Sequence, residues 1–154
     1  MGTEIERKFL VKDESFRSLA KGTRYRQGYL NSTKERIVRV RTIDDEGFLT
    51  IKSITVGATR IEYEYKIPIE EAEVMLSELC ERPLIEKNRY KINFEGLIWE
   101  VDEFFGDNQG LILAEVELKS EDQEFKKPQW IGEEVTGDPK YFNSNLIKNP
   151  YKFW

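Results

Sequence analysis

The chain reads as a mainly β (α+β) protein. The expected architecture is an eight-stranded antiparallel β-barrel around a charged interior, with a few packed helices, one of them C-terminal. Three observations predict it. First, charges recur at two-residue spacing, which places them on one face of a strand while the residues between point the other way. Glu4, Glu6 and Lys8 do this, and Arg39 and Arg41 flank Val40. Glu62, Glu64 and Lys66 interleave with Tyr63 and Tyr65, followed by Lys87, Arg89 and Lys91. Glu100 and Asp102 flank Val101, and Glu115, Glu117 and Lys119 interleave with Val116 and Leu118. Second, the links between these segments are mostly too short for βαβ crossovers. Third, like charges stack in Glu4/Glu6, Arg39/Arg41 and Glu115/Glu117. A solvated sheet face is the ordinary explanation of apolar/charged alternation. Adjacent like charges repel, however, so a counter-charge bound jointly explains the stacked pairs better. Eight antiparallel strands suffice to close a barrel, and closure turns the polar face into a lumen.

The strands are expected at 3–11, 24–31, 35–43, 47–54, 58–68, 84–94, 97–105 and 111–119, each supported by alternation and by β-branched or aromatic residues. Asp44-Asp45-Glu46-Gly47 and Glu95-Gly96 are turn chemistry and predict antiparallel hairpins. The run 106–110, Gly-Asp-Asn-Gln-Gly, is a loop into another antiparallel return. Asp13 is placed to cap a short helix over 14–20, ended by Gly22. Over 69–81 the 3.6-residue period puts Ala72, Met75, Leu76, Leu79 and Cys80 on one face, with Glu70 and Glu71 in the favourable first turn. Residues 125–132, with Pro128 and Trp130, read as a packed connector. Asp138-Pro139 opens the C-terminal helix, which offers Tyr141, Phe142, Leu146 and Ile147 for packing.

With 154 residues and no internal repeat or linker, the chain is expected to form one domain, 1–154. Its net charge of −5 argues against a general nucleic-acid or membrane binder, because both favour a basic excess. Cys80 is the single cysteine, which excludes an intramolecular disulfide and makes a reducing cytoplasm the expected home. No signal peptide or membrane-spanning apolar run is visible. There is no histidine, so the commonest general base and the commonest transition-metal ligand are both missing. A metal would have to be held by carboxylates, which favours hard divalent ions. Arg39 and Arg41 have the fork geometry that suits phosphate oxygens, and Lys8, Lys52, Lys87 and Arg89 add further donors.

These residues resemble a known family. Glu4-Ile5-Glu6-Arg7-Lys8-Phe9-Leu10 is similar to the N-terminal ExExK signature of the triphosphate tunnel metalloenzymes, the CYTH superfamily. The resemblance continues through Arg39-Val40-Arg41, Thr50-Ile51-Lys52-Ser53 and Arg60-Ile61-Glu62-Tyr63-Glu64-Tyr65. It then takes in Glu86-Lys87-Asn88-Arg89-Tyr90, Trp99-Glu100-Val101-Asp102 and Ala114-Glu115-Val116-Glu117. Trp130-Ile131-Gly132-Glu133-Glu134-Val135-Thr136 resembles the closing segment of the short bacterial members. ExExK alone is a weak signal; seven charged motifs in order across the whole chain are a strong one.

The resemblance implies a tunnel that binds triphosphate groups with a divalent metal, Mg²⁺ or Mn²⁺. Carried over by position, Glu4, Glu6 and Glu117 become metal ligands, with Glu115 and Asp102 available for a second metal or for placing water. Lys8, Arg39, Arg41, Lys52, Lys87 and Arg89 become phosphate contacts. Glu62 and Glu64 stay open between counter-ion, metal-binding and water-positioning roles. Phosphoryl transfer needs in-line positioning and charge neutralisation more than covalent participation. With no histidine, a base must come from a carboxylate, a metal hydroxide or a Lys/Tyr pair. Lys87, crowded by cations, should have a lowered pKa, and Tyr29 is its candidate partner; a plain phosphate-ligand role for Lys87 competes with this.

The expected activity is metal-dependent hydrolysis of tripolyphosphate, a small-molecule substrate, to pyrophosphate and phosphate. The alternatives are a nucleoside or thiamine triphosphatase, a class IV adenylyl cyclase, and a non-catalytic polyphosphate-binding module. A cyclase must also position an adenine and a ribose hydroxyl, for which no base-reading feature is visible. Pure anion binding would not need so many carboxylates. A homodimer is an assembly the sequence leaves open.

Overall fold

The alternation read from the sequence folds into a closed ring. The computed structural model describes residues 2–154. Its strands are β1 (Thr3–Val11), β2 (Thr23–Asn31), β3 (Arg36–Ile43), β4 (Glu46–Ser53) and β5 (Thr59–Ile67), followed by β6 (Ile85–Phe94), β7 (Leu97–Phe104), β8 (Ile112–Glu117) and β9 (Ile131–Glu134). Eight of them close a barrel in the order β1-β5-β4-β3-β2-β6-β7-β8 and back to β1, every pair antiparallel. The β6–β7 turn has positive φ at both central residues, 52° at Glu95 and 81° at Gly96. That backbone matches the right-handed twist of the flanking strands, which is why Gly stands second.

The seam is short. β1 meets β5 only through Thr3↔Ile61, Glu4↔Arg60 and Ile5↔Thr59. Its opposite edge is taken by β8, from Glu6↔Glu117 to Leu10↔Leu113. Where β5 ends, β9 takes over the same edge of β1 through Phe9↔Glu134 and Val11↔Ile131. This ninth strand lies in the segment expected to be a connector and its continuation. It is four residues long, and its Gly-Glu-Glu sequence carries no alternation to reveal it.

Two apolar layers lie outside the barrel and one fills its end. Phe9, Tyr90, Ile92, Trp99, Val101, Ala114 and Val116 point outward from β6, β7, β8 and β1 and are covered by Phe16, Phe125, Trp130 and Ile131. The aromatic rings meet at tilted or edge-on angles, with centroids 5.5 Å apart for Phe9–Trp99 and 5.3 Å for Phe16–Tyr90. Helix α1 (Ile69–Glu78) lays Ala72 and Leu76 over Val40 and Leu49 on β3 and β4. A Cβ at Gly47 would stand 2.8 Å from the Ala72 Cβ, so glycine is what allows this approach. The helix ends sooner than the period predicted, and Leu79, just past its end, is 65% exposed instead of packed. The expected 14–20 helix is a single 3₁₀ turn, Ser15–Ser18, with Asp13 Oδ1 accepting from the Ser15 N–H and hydroxyl.

The third cluster faces inward. By alternation from the charged positions, Leu10, Tyr29, Ile37, Ile85, Phe104 and Leu113 point into one end of the barrel, where they pack with Val135, Leu146 and Ile147. The C-terminal segment thus fills that end. Asp138 caps it as expected, accepting from the Lys140 N–H at 3.1 Å with Pro139 in the first turn. It is broken, however, into the 3₁₀ turn Pro139–Tyr141 and a short α2 (Asn143–Leu146), because Phe142 between them is extended.

Candidate active site

The inward-facing charges separate by strand. β4, β3 and β6 contribute Lys52, Arg39, Arg41, Lys87 and Arg89, with Tyr25, Gln27 and Tyr29 of β2 between them. β7, β8, β1 and β5 contribute Glu100, Glu115, Glu117, Glu4, Glu6, Glu62 and Glu64. One half of the ring is basic and the other acidic, with Lys8 and Arg60 as basic residues inside the acidic half. A cavity of about 220 Å³ lies between, lined by all of these charged residues and by Tyr29, Phe142 and Asn143. A lateral opening continues from it between the 55–58 turn and residues 136–144.

On the basic side, Arg41 and Arg89 stack over the Tyr25 ring, their guanidinium carbons 5.1 and 4.9 Å from its centroid. Glu64 accepts from Arg41 Nη2 at 3.2 Å and from the Thr50 hydroxyl at 3.0 Å. The Nε atoms of Arg39 and Arg41 are buried without a hydrogen-bond partner. Orphaned donors of this kind cost about 1–3 kcal/mol each until something accepts from them. Burial, with Arg39 and Arg89 close by, pulls the Arg41 pKa down. Burial, with Arg39 and Arg60, does the same to Lys52. This wall carries more positive charge than its carboxylates neutralise.

Behind it, Asp102 accepts from Arg89 Nε at 2.7 Å and Nη2 at 2.9 Å, and pairs with Lys87 Nζ at 2.8 Å. Asp102 is buried beneath these cations and is absent from the cavity lining, so it shapes the wall instead of facing the lumen. Despite its burial, Arg89 and Lys87 hold its pKa down at about 2. Burial lowers the Lys87 pKa to about 7 even with Asp102 beside it. Lys87 Nζ also donates to Asn143 Oδ1 at 3.0 Å, and Gln27 Nε2 donates to the Tyr29 hydroxyl at 3.1 Å and to Asn143 Oδ1 at 3.2 Å. Lys87 and Tyr29 therefore share no direct hydrogen bond; Gln27 and Asn143 stand between them.

The acidic side is frustrated in the opposite sense. Glu6 lies across β1–β8 from Glu117 and shares a hydrogen bond with Glu115; Glu4 shares one with Glu62. Burial together with Glu115 pushes the Glu6 pKa well above the carboxylate range. Burial and the bond to Glu4 push Glu62 up to about 7. Burial and then Glu4 raise Glu117. Their partners go the other way despite burial: Lys52 holds Glu4 well below the usual range, and Lys8 does so for Glu115. Carboxyls crowded like this favour a cation between them, and Glu62 Oε2, 3.5 Å from Lys52 Nζ, is buried without a hydrogen bond. The donor set is all oxygen, which fits a hard divalent ion. Among the described residues no group of three carboxylates encloses a point by itself. Phosphate oxygens and water would complete the shell, as is usual for Mg²⁺.

Every expected site residue except Asp102 thus lines one cavity. Sequence reasoning missed Arg60, which donates to Glu4 at 3.1 Å, although its alternation with Glu62 and Glu64 could have found it. It also missed Tyr25, Gln27 and Asn143. Tyr25 and Gln27 share the period of Tyr29, whereas Asn143 sits on an irregular segment with no pattern to read.

The chain is 59% identical over 152 residues to the inorganic triphosphatase of Acetivibrio thermocellus, covering 99% of this chain and 97% of that protein. It is 43% identical over 148 residues to the inorganic triphosphatase of Nitrosomonas europaea, covering 94% and 96%. Among solved structures, the inorganic triphosphatase NE1496 superposes with a TM-score of 0.67 at 38% identity, covering 93% of this chain and 96% of that one. The CYTH domain profile matches residues 2–149, and the chain belongs to the CYTH family.

Proposed function

We propose that this protein hydrolyses inorganic triphosphate to pyrophosphate and phosphate with a divalent metal, Mg²⁺ or Mn²⁺, in the cytoplasm. The observation that carries this reading is the pair of facing walls in one cavity, each with unmet charge of opposite sign. A polyanion bridged to a cation satisfies both. The family implies the divalent metal, and Glu4, Glu6 and Glu117, with Glu62 and Glu115 beside them, would hold it. When bound, the ion neutralises phosphate charge and polarises the oxygens it touches.

The chain's own residues do the rest. Arg39, Arg41, Lys52 and Arg89 grip the phosphates along the basic wall, and Lys8 reaches them from the acidic half. Asp102 fixes Arg89 and Lys87, so their charges are already oriented when substrate arrives. Lys87 lines the cavity as a phosphate contact; with a pKa lowered to about 7, it is also able to take a proton from attacking water above neutral pH. Tyr29 lines the same region. Glu64 holds Arg39 and Arg41 in place as a counter-ion. Water attacks a terminal phosphorus in line, the P–O bond to the leaving pyrophosphate breaks, and phosphate is released.

Assays with tripolyphosphate, ATP, GTP and thiamine triphosphate test the reading. Phosphate release should be fastest from tripolyphosphate, vanish in chelator and return with Mg²⁺ or Mn²⁺. Faster turnover of a nucleotide or of thiamine triphosphate, or undiminished activity in chelator, would overturn it.

A further inference from the structure

We infer that Asn143, supplied by the C-terminal segment and not by the barrel, is a positioning residue for Lys87. Lys87 is 1% exposed and its ammonium has three hydrogens and no acceptor. Asp102 Oδ2 stands 2.8 Å from Nζ as its ion-pair partner, and one hydrogen goes to Asn143 Oδ1 at 3.0 Å. Held between that carboxylate and the one carbonyl it bonds, the ammonium keeps hydrogens to offer to the cavity that Lys87 and Asn143 both line. Without Asn143 the ammonium would be held by Asp102 alone and could rotate about that contact.

Asn143 is itself held. Gln27, fully buried, donates Nε2 to the same Oδ1 at 3.2 Å and to the Tyr29 hydroxyl at 3.1 Å. An ammonium only donates, so the Asn143 carbonyl must face Lys87, and the Gln27 amide must turn its NH₂ toward that carbonyl. This arrangement leaves Gln27 Oε1 buried and unpartnered. A buried amide left half satisfied costs stability. The Tyr29 hydroxyl, accepting from Gln27, keeps its own hydrogen to donate toward the lumen. Two uncharged amides therefore set the direction of both Lys87 and Tyr29, and one of them arrives only when the C-terminal segment has filled the barrel end. The effect on turnover rests on the triphosphatase reading; the effect on the Lys87 ammonium does not.

Two substitutions separate positioning from packing. Asn143→Leu conserves volume and removes the acceptor; Asn143→Asp keeps the acceptor and adds charge. In the leucine variant kcat for tripolyphosphate should fall about tenfold or more with KM changed less than about threefold, since the phosphate grip is intact. The aspartate variant should keep kcat within about threefold while KM rises, its charge repelling the polyanion. A residue that only packs the barrel end gives the reverse order, leucine tolerated and aspartate impaired, and that result would overturn the inference. If the leucine variant does not fold, Asn143→Ala reads the same loss. With ¹⁵N-labelled lysine, the Lys87 Nζ signal, assigned by its absence in Lys87→Arg, should exchange faster with water in the leucine variant than in wild type or the aspartate variant. Unchanged exchange would also overturn the inference. If the wild-type protein fails to cleave tripolyphosphate, the triphosphatase reading falls and the exchange measurement alone decides this one.

Discussion

Glu6→Gln should stabilise the metal-free protein and at the same time destroy most of its response to metal. Glu6 faces Glu117 across β1–β8 and shares a hydrogen bond with Glu115, with burial pushing its pKa well up from the ordinary 4.5. Folding against that burial and those carboxylate neighbours disfavours the charged form of Glu6, and that penalty is carried by the metal-free fold. Glutamine is neutral without that cost, and its NH₂ can donate to Glu115 in place of the shared proton. A gain of about 2 kcal/mol, the scale of a hydrogen bond to a charged group, corresponds to roughly 4–8 °C in Tm for a chain of this length. The pH dependence follows with a definite sign. Between the ordinary carboxyl pKa of 4.5 and about 7, where Glu62 also titrates, the folded metal-free chain binds protons that the unfolded chain releases. Its stability therefore falls as pH rises through that window. Glu4 and Glu115, held low, oppose this only below the ordinary carboxyl pKa, where their contribution is lost as pH falls. Scanning calorimetry in chelator and in Mg²⁺ or Mn²⁺, at several pH values, reads both effects. A Glu6→Gln protein no more stable than wild type in chelator, or one still stabilised fully by metal, would refute the account of the acidic wall.

Arg41→Ala removes a guanidinium with a free buried Nε, so KM for tripolyphosphate should rise about tenfold or more, the worth of a charge-assisted hydrogen bond; Arg41→Lys should not rescue it, and an unchanged KM would remove Arg41 from the phosphate wall. Asp102→Asn leaves Arg89 and Lys87 buried against a neutral partner and should cost about 3–5 kcal/mol by denaturant unfolding; a loss below about 1 kcal/mol would mean that Asp102 does not hold these cations. Lys87→Arg keeps charge but cannot lose a proton near neutral pH; if Lys87 serves as a base, kcat falls and its alkaline rise disappears, whereas a change confined to KM leaves Lys87 as a phosphate contact. Trp99→Ala, in the aromatic layer outside the barrel, should cost about 3–5 kcal/mol of stability without changing KM for tripolyphosphate, and altered substrate affinity would show that the layer is coupled to the cavity.

The eight barrel strands were legible because alternation is a local property, and each strand carries enough residues to display it. The two walls were legible for the same reason: residue type and parity together say which charges share the lumen. Depth was not. Glu100 and Asp102 have the same parity on β7, yet Glu100 lines the cavity while Asp102 lies under Arg89 and Lys87. Only the packing of neighbouring strands decides that. The pairing of Lys87 with Tyr29 failed as a direct contact because Lys87 stands opposite Tyr25 in the β2–β6 register, four residues from Tyr29. β9 and α2 are too short for any period, and the residues they bring, Glu134 against Arg7 and Asn143 against Lys87, were invisible for that reason.

The short seam has a consequence for how the chain is made. β2 to β5 form successive hairpins, and β6 to β8 do so again, so most of the barrel wall can assemble from sequence neighbours. β1 cannot. Its partners are residues 59–61, 113–117 and 131–134, so β1 must wait for strands that lie far along the chain from it. Contacts this distant in sequence form slowly, and an unpaired strand invites pairing with other chains while it waits. Arg7 and Lys8 beside Glu4 and Glu6 keep that waiting strand charged and hydrated. Glu4 and Glu6 also ride on it, so the chain cannot assemble its full carboxylate wall until β5 and β8 have taken up β1 and the ring has shut.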